Sequence, residues 1–183
     1  MDDEKQILFA GFGGQGVLSM GQFLAYAAMN DGKQVSWVPS YGAEMRGGTA
    51  NCLVTISSEE IYSPLTEHPL MAVVLNQPSL DKFEALIKPH GWLVINSSMV
   101  DRDSERTDLT VLKIPVNELA EEMDNARGAN MILLGAYLEK TGVVRAEDAV
   151  QHFEAVYKGK KEIIIQKNRE AFLAGVEWAK KNW

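Results

Sequence analysis

Ile7-Leu8-Phe9-Ala10-Gly11-Phe12-Gly13-Gly14-Gln15-Gly16-Val17 reads as a buried strand, a glycine turn and the opening of a helix. That order is how α/β proteins hold phosphate groups. The first backbone N–H groups of a helix have no partner within it, and the helix dipole favours an anion there. From Val17 the apolar residues Val17, Leu18, Gly21, Leu24, Ala25 and Ala28 fall on one helical face, and Asn30-Asp31-Gly32 supplies a stop. Gln34 to Val38 follows as a second strand closed by Pro39. A strand–helix–strand unit of this length predicts a right-handed parallel crossover. A second glycine-rich segment comes next, Tyr41-Gly42-Ala43-Glu44-Met45-Arg46-Gly47-Gly48-Thr49-Ala50. It adds a fixed positive charge, Arg46, among residues that permit close backbone approach.

Working outward, Cys52 to Ile56 and Glu60 to Tyr62 flank Ser57-Ser58-Glu59, which predicts a β-hairpin. Met71 to Leu75 is an apolar strand, and Asn76-Gln77-Pro78-Ser79 starts a helix with Leu80, Phe83, Leu86 and Ile87 inward. Trp92 to Ile95 and Leu109 to Val116 give two more strands. The remainder is helical, with Ala129, Ile132, Leu133, Ala136 and Tyr137 in helical spacing, then Ala146 to Tyr157 and Glu162 to Asn182. The pattern is a Rossmann-like, doubly wound α/β fold. Its sheet is mostly parallel, with a β-hairpin excursion and a helical C-terminal part. Residues 1–183 are expected to form a single domain, with no repeat or linker.

The net charge of −7 and the absence of a Lys/Arg cluster argue against nucleic-acid binding. No apolar run reaches the ~20 residues that span a bilayer, and Met1-Asp2-Asp3-Glu4-Lys5 has no signal core, so a cytoplasmic location is expected. The single cysteine, Cys52, cannot hold an iron–sulfur cluster or a structural zinc ion, and it reads as a small core residue. His68, His90 and His152 share no ligand spacing, and no Ser-His-Asp, HExxH or Walker pattern is present. No catalytic residue and no metal ligand is therefore assigned.

Gly11-x-Gly13-x-x-Gly16 matches the dinucleotide fingerprint, but an NAD site also wants a carboxylate ending the second strand. Ser36-Trp37-Val38-Pro39 offers none. Two readings stay open for the first segment: an anion site, or a tight turn whose glycines allow close helix–sheet packing. Arg46 could clamp a phosphate or carboxylate, or form a local pair with Glu44.

The two segments together, with Asn76-Gln77-Pro78-Ser79-Leu80-Asp81-Lys82-Phe83, resemble the gamma subunit of 2-oxoacid:ferredoxin (acceptor) oxidoreductases over nearly the whole chain. Ala43 departs from a pattern that often has proline there. The resemblance implies a Rossmann-like domain packed beside alpha and beta subunits that hold thiamine diphosphate and magnesium. A ferredoxin-like delta subunit and iron–sulfur clusters would carry the electrons, and coenzyme A would be the co-substrate. The short gamma chain looks most like the 2-oxoglutarate type, with branched-chain 2-oxoacids and pyruvate as alternatives. On this reading the chain holds no cofactor itself, is inactive alone, and supports assembly. Gly11, Gly13, Gly14, Gln15, Gly16, Tyr41, Glu44, Arg46, Gly47 and Gly48 form the candidate coenzyme A or interface surface. Isolated, it is expected to expose a partner-facing patch and to form a homodimer. The competing readings are an independent nucleotide-binding oxidoreductase and a purely structural scaffold.

Overall fold

The structure is a computed structural model and describes residues 4–41 and 49–183. Six strands form one sheet: β1 (Lys5–Phe12), β2 (Gln34–Tyr41), β3 (Thr49–Ser57), β4 (Met71–Val74), β5 (Trp92–Asn96) and β6 (Thr110–Ile114). Their spatial order is β2-β3-β1-β4-β5-β6. β1, β4, β5 and β6 are joined in parallel, while β3 is antiparallel to both of its neighbours. The helices are α1 (Val17–Asn30), α2 (Gln77–Phe83), α3 (Val116–Glu122), α4 (Ala129–Thr141), α5 (Ala146–Ala149), α6 (Phe153–Val156) and α7 (Glu162–Asn182).

Alternation along the strands builds two cores. One face presents Ile7, Phe9, Cys52, Val54, Val73 and Val94 to α1, α3, α4 and α7. The other presents Leu8, Ala10, Leu53, Val74 and Ile95 to Leu80 and Phe83 of α2 and to Val100. With helices on both faces, the sheet is doubly wound. Over β2 and β3 the second face carries no helix among the described residues. Leu8, Val38, Leu53, Leu65 and Phe83 there line an apolar groove of about 400 Å³.

The structure refines one sequence expectation and corrects three. β1 and β2 run parallel across α1, as the sequence predicts, but the crossover skips a strand, because β3 lies between them and is antiparallel to both. β3 earns that place through length: it pairs over eight positions with β1 and eight with β2. Glu60 to Tyr62 is not a strand, and Tyr62 is exposed. Both edges of β3 are already taken, by β1 and β2, so a strand following it cannot fold back onto it as a hairpin. The antiparallel excursion is instead the β2–β3 pair. The strand expected from Leu109 to Val116 stops at Ile114, because Pro115 precedes α3, which opens the helical remainder one residue earlier than the sequence pattern placed it. The helix expected over 146–157 is broken into α5, a 3₁₀ turn and α6.

Candidate functional site

Strand register brings the base of the first glycine segment and the described flanks of the second, Tyr41 and Thr49–Ala50, to one end of the sheet. Phe12 pairs with Thr49, and Tyr41 pairs with Ala50. The C-terminal flank of the second segment, Thr49 and Ala50, therefore stands beside Phe12 and Gly11, and its N-terminal flank, Tyr41, lies one strand further out, across β3. Glu44, Arg46, Gly47 and Gly48 lie outside the described residues. This is the carboxyl end of the parallel strands. There α1 leaves to one face and α2 to the other, the position where open α/β sheets bind ligands.

The glycine turn is built by packing as much as by conformation. Gly14 and Gly16 have φ values of 100° and 78°, a region that side chains disfavour. A side chain at Gly16 would also collide with Asn130, and one at Gly11 would meet Gln15 Oε1 at 2.7 Å. Gln15 closes the turn. Its Oε1 accepts from the Phe12 N–H at 2.6 Å and from Asn76 Nδ2 at 2.9 Å, and its Nε2 donates to the Leu75 carbonyl at 3.4 Å. One amide that could have faced an anion is thus satisfied internally.

The network continues across the strand ends. Asn76 caps α2, its Oδ1 accepting from the Ser79 N–H at 2.9 Å. Asn96 donates to the Leu75 carbonyl at 3.2 Å and to Asn117 Oδ1 at 3.0 Å. Asn130 Nδ2 donates to the Gly16 carbonyl at 3.3 Å. Sequence reasoning named Gln15 as a site residue but not Asn96, Asn117 or Asn130. A signal was present: Asn76, Asn96 and Asn117 each follow an apolar run at a strand end, within Val74-Leu75-Asn76, Val94-Ile95-Asn96 and Pro115-Val116-Asn117. The arrangement offers neutral donors and acceptors that can orient a polar ligand or a partner's loop.

Residues 6–178 match the family described as Pyruvate ferredoxin/flavodoxin oxidoreductase. The chain belongs to that family. Among curated relatives, ketoisovalerate oxidoreductase subunit VorA of Methanothermobacter marburgensis is 38% identical over 179 residues, covering 98% of this chain and 37% of its own length. The chain thus spans a little over a third of that relative. 2-Oxoglutarate synthase subunit KorC of Methanocaldococcus jannaschii is 37% identical over 180 residues, covering 96% of this chain and 94% of its own. Among solved structures, the gamma subunit of a keto/oxoacid ferredoxin oxidoreductase from Geobacter sulfurreducens PCA superposes with a TM-score of 0.79 at 32% identity. That match covers 97% of this chain and 99% of the subunit. A 2-oxoglutarate:ferredoxin oxidoreductase from Magnetococcus marinus has 2-oxoglutarate, coenzyme A and succinyl-CoA bound. It gives a TM-score of 0.87 at 27% identity, covering all of this chain and 32% of that one.

For this pyruvate ferredoxin/flavodoxin oxidoreductase family member, the insertion of β3 bears directly on the NAD reading. A carboxylate at the end of β2 would stand two strand spacings from β1, roughly 9–10 Å, instead of one. Among the described residues no group of three or more His, Cys, Asp or Glu is placed to hold a metal. No helix among them is long and apolar enough to cross a membrane.

Proposed function

We propose that this chain acts as the gamma subunit of a 2-oxoacid:ferredoxin oxidoreductase, 2-oxoglutarate being the substrate class. The assembly would convert a 2-oxoacid and coenzyme A to an acyl-CoA and carbon dioxide, passing the electrons to ferredoxin or a similar acceptor. Thiamine diphosphate, magnesium and the iron–sulfur clusters would reside on alpha, beta and ferredoxin-like delta subunits. The role of this chain is to support assembly and to position coenzyme A or a partner's loop. The observation that carries the reading is the register that pairs Gly11 and Phe12, at the base of the glycine turn, with Ala50 and Thr49, where the chain re-enters the sheet after the Glu44–Gly48 segment. Likeness to the Magnetococcus marinus enzyme with coenzyme A bound supports the ligand. The ketoisovalerate relative makes branched-chain 2-oxoacids the competing substrate class.

The Gln15 latch favours a second reading, in which the glycine turn serves packing between subunits only. Two experiments separate the possibilities. The tagged chain purified from its native host should carry with it a thiamine diphosphate-binding pair and a cysteine-rich ferredoxin-like subunit. Assays with 2-oxoglutarate, pyruvate and branched-chain 2-oxoacids then fix the substrate. A lone protein carrying nucleotide would overturn the subunit reading. Within the complex, Arg46→Ala should raise the KM for coenzyme A, and an unchanged KM with normal assembly favours the scaffold.

A further inference from the structure

We infer that the turn into α7 and the first two turns of that helix form a docking surface for an acidic, apolar-centred face of a partner subunit. Lys158, Lys160 and Lys161 lead into the helix, and Ile163, Ile164 and Lys167 follow within it. All six are exposed. The surface borders the glycine turn, because Ile164 and Asn168 share a cleft with Gly14, Gln15 and Gly16. The inference rests on the subunit reading only for which protein the partner is.

Two local choices here oppose the fold. The start of a helix carries the positive end of its dipole, where acids stabilise and cations repel. α7 opens instead behind three lysines, and one of them, Lys161, stands at the N-cap with no side-chain hydrogen bond. Over 158–167 four lysines face one acid, Glu162, in a chain whose acids outnumber its bases by 25 to 18. None of the four lysines is ion-paired with the described residues. Ile163 and Ile164 are 55% and 42% exposed, whereas the adjacent Ile165 lies in the core. Neither choice stabilises the chain by itself. A partner that brings carboxylates to the lysines and covers the isoleucines removes both penalties at once, in the polar-rim and apolar-centre layout of a protein interface. A second copy of this chain in a two-fold contact would set lysines against lysines. Nucleic acid would meet too few cations and would leave the isoleucines in water.

Retention of partners by the full-length tagged chain, produced in its native host and washed through a sodium chloride gradient, tests the inference. Wild type is compared with the Lys158→Glu/Lys160→Glu/Lys161→Glu triple variant and with Ile163→Ser/Ile164→Ser, each partner being identified by mass spectrometry. Charge reversal should weaken retention roughly tenfold or more and remove most of its salt dependence. It should also raise the melting temperature of the chain slightly, because acids suit a helix start, so a lost partner is not the result of misfolding. The isoleucine variant should release the partner earlier in the gradient with its melting temperature unchanged. Retention of the thiamine diphosphate-binding pair by wild type and equally by the reversal variant overturns the inference and leaves the subunit reading standing. Loss, on reversal, of an acidic protein other than that pair upholds the surface and fails the subunit reading. A wild-type chain that elutes alone overturns both.

Discussion

At the residue scale, Gln15 and Cys52 each do something a motif search cannot assign. Gln15 gathers two donors, the Phe12 N–H and Asn76 Nδ2, onto one oxygen. Gln15→Ala leaves both without their acceptor and should destabilise the chain by about 1–3 kcal/mol. An unchanged denaturation midpoint in urea would show that the latch holds nothing. Cys52 sits under α1, where a side chain on Gly21 would strike its sulfur. Burial pushes its thiol up to about 12, outweighing the neighbouring Trp37 indole and Gly21 backbone. The native thiol should therefore resist a thiolate-selective reagent at neutral pH and react at once when the chain is unfolded. Rapid native labelling would mean that α1 opens readily. That Cys52 is a core residue was legible from its apolar neighbours. The Gln15 contacts were not, since Asn76 is 61 positions away and no local pattern encodes the pairing.

At the scale of elements, local periodicity carried well. α7 spans Glu162–Asn182, the range its sequence predicts, because its inward residues and its flanks agree. What the helix packs against was less visible. Gly135 on α4 and Gly175 on α7 form a reciprocal crossing: a side chain on the first would collide with the Phe172 carbonyl, and one on the second with the Ile132 carbonyl. Backbone cannot step aside as a side chain can. Gly135→Ala should thus lower stability by about 1–3 kcal/mol despite its better helix propensity, and a raised melting temperature would refute the crossing.

A second element-scale device fastens the segment after β5 to the end of α2. Arg102 pairs with Glu84 at 2.9 Å and with Asp81 at 3.0 Å, and Arg106 pairs with Asp108 at 2.6 Å. The hydrogen bond from Arg106 holds the Asp108 carboxyl at about 2, below its ordinary 3.8. Burial raises Glu84, but Ser104, Arg102 and the Glu105 N–H outweigh it and leave it lowered. A depressed folded pKa means stabilisation that is complete above about 4 and is lost as pH falls through about 2. Asp108→Asn should therefore cost stability near neutrality, modestly because the pair is solvent-exposed, and cost little at about pH 2. A difference that persists unchanged into acid would place its cause elsewhere.

For the whole molecule, the class of fold was legible and the strand order was not. Buried strands alternating with helices announce a doubly wound sheet, but which strand sits beside β1 depends on pairing between distant segments. β3 prevailed because its alternate residues Cys52, Val54 and Ile56 fill the core beneath α1 while both of its edges find partners. This order predicts that NAD will not raise the melting temperature of the full chain, since the strand that would bring a ribose-binding acid is displaced from β1. A clear rise would restore the dinucleotide reading.

The second glycine segment joins β2 to β3, and those strands are clamped to each other over eight paired positions. β3 is clamped again to β1. The double clamp fixes where the chain leaves the sheet at Tyr41 and where it returns at Thr49. Substitutions between those two points should change which partner or ligand the chain engages and leave its melting temperature alone.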